Sequence, residues 1–373
     1  MKTISRFASL LAVGAMLMSV GLARAAGDPV SGRLLFSAHC NDCHTLAGKD
    51  PAKKAAGNPS ELQNAIATVA QMSRPDLAAL SLAEITDISA YIASVVGGPV
   101  VANYQGLWWR APAASEDGWG INLAHQGEVI FGTWFTYDTT GKGWWMTLIA
   151  DDKTTPGTYA GNLYASSGPP FNAVPFVQAG GPPPPIGVAT LTFSDANNGT
   201  FHYDVNLPTG KVSQTKTITR QVLSAAALAT CATQANLAAA TNFQDIWWAG
   251  TSANPGTESG WGINFAHQGD TLFASWFTYD FDGTPMWLVA TANKDAPGVY
   301  SGDLYRPSGP RFDAYDKSRF APNPPVGTMK LTFADGNNAK FDYTVKLPGM
   351  AIAITQSKPI TRQIFTAPGT ACK

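Results

Sequence analysis

The residues whose types and spacing name a chemistry lie in one short stretch, His39-Cys40-Asn41-Asp42-Cys43-His44. Cys40 and Cys43 are two residues apart and His44 follows at once. In this C-x-x-C-H spacing each thiol can add to a vinyl group of a haem, and the adjacent imidazole can ligate the iron. A zinc reading requires a second ligand pair at similar spacing, and the sequence offers none. A thioredoxin-like reading requires a βαβ setting that the flanking residues do not suggest. A structural or redox cysteine pair is the alternative to haem attachment.

A sixth iron ligand would have to come from nearby. Met72 is the only methionine between the motif and residue 100, and no histidine follows His44 in that interval. A thioether ligand favours ferrous iron and raises its potential. The alternative is a methionine that fills a core gap, with the iron five-coordinate or water-bound.

The elements that would position these groups read as helices. Asp28-Pro29 offers an N-cap and a first-turn proline, and Val30, Leu34, Leu35 and Ala38 form one face that ends at the motif. Gly32, Leu35 and Phe36 sit where a close helix crossing can form. Ser60 with Gln63 suggests a capping box for a short helix through Val69. Leu82 to Val96 is helical by its Ile85, Ile88, Ile92 spacing and is stopped by Gly97-Gly98-Pro99.

On Gly32-Arg33-Leu34-Leu35-Phe36, Cys40 to His44, Met72 and the Leu80 to Ile92 stretch, residues 28–97 resemble class I (monohaem) cytochrome c. That resemblance implies crossing first and last helices, haem c held by Cys40 and Cys43, and iron ligated by His44 and Met72.

The rest of the chain bears on location and partners. Lys2 and Arg6, an apolar run from Leu10 to Leu22, and Ala23-Arg24-Ala25 form an export signal over residues 1–25. No later stretch is apolar enough to span a membrane, so the expected location is periplasmic or secreted. Removing Lys2, Arg6 and Arg24 leaves 22 basic against 26 acidic residues. A mildly acidic chain without a basic run does not suit nucleic-acid binding.

All eleven tryptophans lie beyond residue 100, in a unit that is written twice. Leu107-Trp108-Trp109 returns as Ile246-Trp247-Trp248, Gly118-Trp119-Gly120-Ile121-Asn122 as Gly260 to Asn264, and Trp134 to Asp138 as Trp276 to Asp280. The period of ~140 residues is too long for a solenoid and indicates two homologous domains. Alternation at Ala189-Leu191-Phe193 and at Phe201-Tyr203-Val205-Leu207 marks strands with one buried face. Frequent turn signals give about eight short strands per unit, closing as a barrel or sandwich. Helix is expected only in the Ala-rich stretch Ser224 to Ala240. The wording Gly-Trp-Gly-Ile-Asn and Trp-Phe-Thr-Tyr-Asp resembles β-rich modules of exported proteobacterial proteins, a resemblance that implies no activity.

Within each unit, His125 and His267, with Glu116 and Glu258 upstream, could suggest a base or metal ligand. No third group completes a triad or metal set, so a polar hairpin tip is the simpler reading. The repeated tryptophans are expected mostly in the core, with stacking on a sugar or quinone as the alternative. Gly181-Pro182 to Pro185 reads as a stiff surface connector, with a docking site as the alternative. Cys231 and Cys372 end their units at equivalent positions. In an exported chain they are expected to form a disulfide, with separate thiols or intermolecular bonds as the alternative.

The expected fold is therefore multidomain: an all-α cytochrome c-like domain (28–97), a linker (98–103), two antiparallel β domains (104–223 and 243–372) and a connector between them (224–242). The expected function is single-electron transfer by a non-enzymatic carrier with one haem iron and periplasmic redox partners, the β domains binding a small molecule or glycan, or positioning the protein. The alternatives are a haem-linked oxidoreductase and a haem-based sensor.

Overall fold

A computed structural model describes residues 29–46, 50–72, 74–96, 103–151, 157–178, 181–224, 228–234, 236–320, 323–366 and 369–373. The export signal and the Asp28 cap lie outside these residues.

Strand dominates. The first repeat forms a closed barrel of eight sequential antiparallel strands: β1 (Gly106–Arg110), β2 (Gly120–Gln126), β3 (Val129–Tyr137), β4 (Gly143–Asp151), β5 (Thr158–Tyr164), β6 (Gly187–Phe193), β7 (Asn198–Leu207) and β8 (Gly210–Arg220). Pairing of Trp108 with Arg220 closes it. The second repeat closes in the same way through Trp247 and Arg362. Its strands are β10 (Asp245–Thr251), β12 (Gly262–Gln268), β13 (Thr271–Tyr279), β14 (Pro285–Ala296), β15 (Val299–Leu304), β16 (Gly327–Phe333), β17 (Asn338–Val345) and β18 (Ile354–Arg362), with the two-residue β11 (Asn254–Pro255) as a flap. Closure leaves no unpaired sheet edge, which suits a chain of short strands.

Large aromatic side chains fill both interiors. Trp108, Trp134, Phe201 and Tyr203 are fully buried in the first barrel, and Trp247, Trp276, Phe341 and Tyr343 in the second. The tryptophans are thus mostly core, with Trp109, Trp144 and Trp248 only half-buried.

The barrels pack side by side through contacts that occur in reciprocal pairs, as an approximate two-fold relation between the copies requires. The Trp145 indole donates to the carbonyl of Thr278 (3.0 Å), and Trp287 donates to that of Thr136 (2.9 Å). Each barrel also plugs its neighbour. Phe312, from the second repeat, lies against Trp134, Trp144 and Tyr203 of the first, whose Tyr203 hydroxyl donates to the Phe312 carbonyl at 3.2 Å. Phe171, from the first repeat, lies against Trp276 and Tyr343, and the Tyr343 hydroxyl donates to its carbonyl at 3.1 Å. Pro182, Pro184 and Pro185 are exposed and Pro183 is half-buried, as expected of a surface connector.

A disulfide joins Cys231 and Cys372, which face each other across β9 (Cys231–Gln234) and β19 (Gly369–Cys372). The helix expected near Ser224 to Ala240 is not formed among the described residues; β9 occupies part of that stretch because its backbone finds a partner in β19.

The expectation of an all-α cytochrome domain as one of the defining parts of the fold is corrected. Residues 29–96 form only short helices, α1 (Pro29–His39), α2 (Pro59–Thr68), α3 (Pro75–Ala78) and α4 (Leu82–Val96), with two 3-10 turns, around one small apolar cluster. The chain is organised by its barrels. Within this segment α1 and α4 do cross at Gly32, where a Cβ would overlap the carbonyl of Asp87. The buried face of α1 is Gly32 and Phe36, continued by Cys40 just past its end, and Leu34 is 64 % exposed. Asn58, not Ser60, caps α2 by accepting from the Glu61 amide. Among the described residues no helix is long and apolar enough to cross a membrane.

Candidate functional site

The residues of the C-x-x-C-H motif lie where α1 ends. Cys40 is buried in the cluster with Phe36, Leu46 and Ile92, and Cys43 is exposed; both thiols are free. Burial pushes the Cys40 thiol up to about 11. Nδ1 of His44 is 2.8 Å from Asp50 Oδ1. The Asp50 carboxylate also accepts from the Thr45, Leu46 and Ala52 amides, which outweighs its burial and holds it down at about 2. Met72 lies in a 3-10 turn and packs against the same cluster.

His125 and His267 do end the strands that enter hairpins, but they are buried. Nδ1 of His125 accepts from the Tyr104 amide, and that of His267 from the Phe243 amide, each at 3.0 Å. The proton of each neutral ring is therefore on Nε2, beside the hydroxyl of Tyr159 or Tyr300. Burial lowers both to about 4. These histidines hold the chain entering each barrel.

One buried charged group recurs in both barrels. Lys216 occupies an inward position of β8, in step with the buried Ile218, and Lys358 does the same in β18 beside Ile360. Each meets a glutamate from the loop before the next barrel strand: Lys216 Nζ is 2.7 Å from Glu116 Oε2, and Lys358 Nζ is 2.6 Å from Glu258 Oε2. The same oxygens accept from the indoles of Trp119 (2.9 Å) and Trp261 (2.8 Å). Each ammonium also lies over its tryptophan ring, at 5.2 Å and 5.4 Å. A buried lysine is costly unless paired, and the carboxylate and the ring face together satisfy it.

The two copies differ at the mouth. In the first barrel Arg110 Nε is 3.4 Å from Glu116 Oε1, and the Tyr315 hydroxyl accepts from the Asp117 amide at 2.8 Å. In the second, the positions of Arg110 and Tyr315 are held by Ala249 and by Val174, which is 82 % exposed. Glu258 Oε1 has no hydrogen-bond or ion-pair partner among the described residues. A cavity of about 250 Å³ opens there, lined by Val174, Ala249, Thr257, Glu258, Gln356 and Lys358. That is under the roughly 300 Å³ at which pockets for drug-sized ligands begin, so it suits a group the size of a side chain. The sequence signals were a lysine on the inward phase of a strand and a mismatch after the repeated Trp-Trp pair.

A groove of about 360 Å³ also crosses the outer face of the second barrel, lined by residues such as Asp303, Lys330 and Asp342. Most of its lining is polar strand surface.

No protein-family profile matches the chain, and no curated protein matches it. Among solved structures, one titled intact Ap-TbpB (N and C lobes) is similar at 9 % identity, with 68 % of this chain and 62 % of that chain covered and a TM-score of 0.21. The chain thus spans less than two thirds of that structure, and a likeness of this size carries no argument for function. The β-dominated fold, with no metal-holding group among the described residues, corrects the class I cytochrome c assignment and the electron-carrier function built on it, along with the haem-linked oxidoreductase and haem-sensor alternatives. Among the described residues no three His, Cys, Asp or Glu side chains gather into a metal-holding group.

Proposed function

We propose that this protein is a binding protein, not an enzyme, in which two mutually plugged barrels form a stiff frame and the mouth of the second receives part of a small molecule. The observation that carries the reading is the cavity over Glu258, whose counterpart in the first barrel is filled by the chain's own Arg110. Duplication supplies both states of one site, closed by an internal side chain and open. A periplasmic or secreted location suits this role, and the Cys231–Cys372 disulfide supports an oxidising compartment.

The test is a thermal-shift screen of small molecules on the wild-type protein and on Ala249→Arg, which restores the first barrel's occupant. A ligand at a hundred times its Kd stabilises by about 2.7 kcal/mol. Stabilisation of the wild type but not of Ala249→Arg is expected; equal stabilisation of both refutes the site.

Covalent haem c on Cys40 and Cys43 is a separate proposal about modification of the helical segment, supported by the thiol spacing and by both thiols being free. Intact mass and the pyridine haemochrome spectrum decide it. An unmodified mass with Cys43 open to maleimide refutes it.

A further inference from the structure

We infer that the group received at the mouth of the second barrel is a guanidinium or a primary ammonium, seated against Glu258 Oε1 as Arg110 is seated against Glu116 Oε1 in the first barrel. The inference rests on the proposed binding role and names the chemistry of its ligand.

The first barrel shows what this carboxylate arrangement holds when complete. Glu116 is shared by three donors: Oε2 takes the Lys216 ammonium and the Trp119 indole, and Oε1 faces the Arg110 guanidinium. The second barrel keeps the first two partners in the same geometry, with Lys358 at 2.6 Å and Trp261 at 2.8 Å. Only the third is missing, because the residue that follows Trp248 is Ala249. A carboxylate accepts at about four lone-pair sites, so Oε1 retains full capacity for a charge-assisted bond.

The remaining lining argues for the same class. Thr257 supplies a neutral hydroxyl, and Val174 and Ala249 a short apolar wall. Such a site takes an alkyl stem with a cationic head, which is how a guanidinium or ammonium side chain is built. The cation of the site, Lys358, is engaged by Glu258 and leans over the rings of Trp261 and Phe176, so an anionic ligand would have to compete with Glu258 for it.

The experiment is calorimetric titration of the intact protein with methylguanidinium, butylammonium, the uncharged isostere methylurea, and acetate. The two cations are expected to bind, with methylurea and acetate at least tenfold weaker. Ala249→Arg is expected to abolish cation binding while keeping the Glu258–Lys358 pair, its fold also checked by near-ultraviolet circular dichroism because Ala249 is itself buried. Glu258→Gln is expected to weaken the cations at least tenfold, its fold checked by near-ultraviolet circular dichroism. Where Glu258→Gln does not fold, Ala249→Arg alone decides. A capped peptide with one internal arginine identifies the source: binding at least tenfold tighter than methylguanidinium points to a partner's side chain, and equal or weaker binding to a free small cation. Methylurea or acetate binding as well as the cations, and blocked by Ala249→Arg, overturns the cation inference while the binding site stands. No probe binding overturns the inference, and an empty small-molecule screen alongside it overturns the binding role as well.

Discussion

Replacement of Phe312 by alanine is expected to loosen the first barrel, although Phe312 belongs to the second repeat. Its ring is 4 % exposed and its centroid lies 5.4 Å from Trp144, 5.8 Å from Trp134 and 6.1 Å from Tyr203. Truncating a buried phenylalanine costs about 3–5 kcal/mol. With three aromatic neighbours, each worth about 0.5–1.5 kcal/mol beyond the buried area, the upper half of that range is expected. At roughly 2–4 °C per kcal/mol for a unit of this size, the midpoint should fall by about 8–20 °C. Urea unfolding followed by tryptophan fluorescence gives the magnitude, and amide hydrogen exchange gives the place. Protection should fall first in β3 and β7 of the first barrel, and Phe171→Ala should loosen β13 and β17 of the second in the same way. Ile352→Ala, at a side chain 73 % exposed, should change stability by no more than about 0.5 kcal/mol. A loss under about 1 kcal/mol for Phe312→Ala, or exchange gained only in its own barrel, refutes reciprocal plugging.

Two further outcomes follow from the same frame. Cys231 and Cys372 are 141 positions apart, so opening the disulfide should cost about 4–5 kcal/mol by the loop-entropy relation; reduction under native conditions that leaves the urea midpoint unchanged contradicts a constraint of that size. The buried histidines set a pH dependence. Their folded pKa values, about 4, lie below the unfolded value, so the unfolded chain binds more protons between about pH 4 and 6.5. Their contribution is complete above that window and is lost as pH falls through it, by about 2 kcal/mol per histidine between pH 7 and 5. Replacing His125 by glutamine should remove one such step from the stability profile, and an unchanged difference between pH 7 and 5 would show that His125 is not held neutral.

Much of the fold can be read from the chain because local pattern and tertiary burial agree. The alternation at Ala189-Leu191-Phe193 is the inward face of β6, and the isoleucine spacing of Leu82 to Val96 matches α4. The two diverge on α1, where apolarity marks Leu34 but the helix crossing is set by the missing Cβ of Gly32, which turns Phe36 and Cys40 inward. The plugs were illegible for a related reason: Phe171 and Phe312 stand in Gly- and Pro-rich loops, and nothing local tells a loop which barrel will receive it. The candidate site was half legible. Glu116 and Glu258 drew notice beside histidines, but their partners are lysines a hundred positions later. The feature that opens the mouth is an alanine, a residue with no chemistry of its own.

The exchanged plugs also order the history of each molecule. The strands of the first barrel are complete at Arg220, yet its interior is capped by Phe312, and Gln214 waits for the carbonyl of Asp313. During synthesis, the first barrel cannot be capped until the chain has been made through Asp313. A chain interrupted between Arg220 and Phe312 would lack the ring that packs on Trp134 and Tyr203, and the first barrel would be left open at that end.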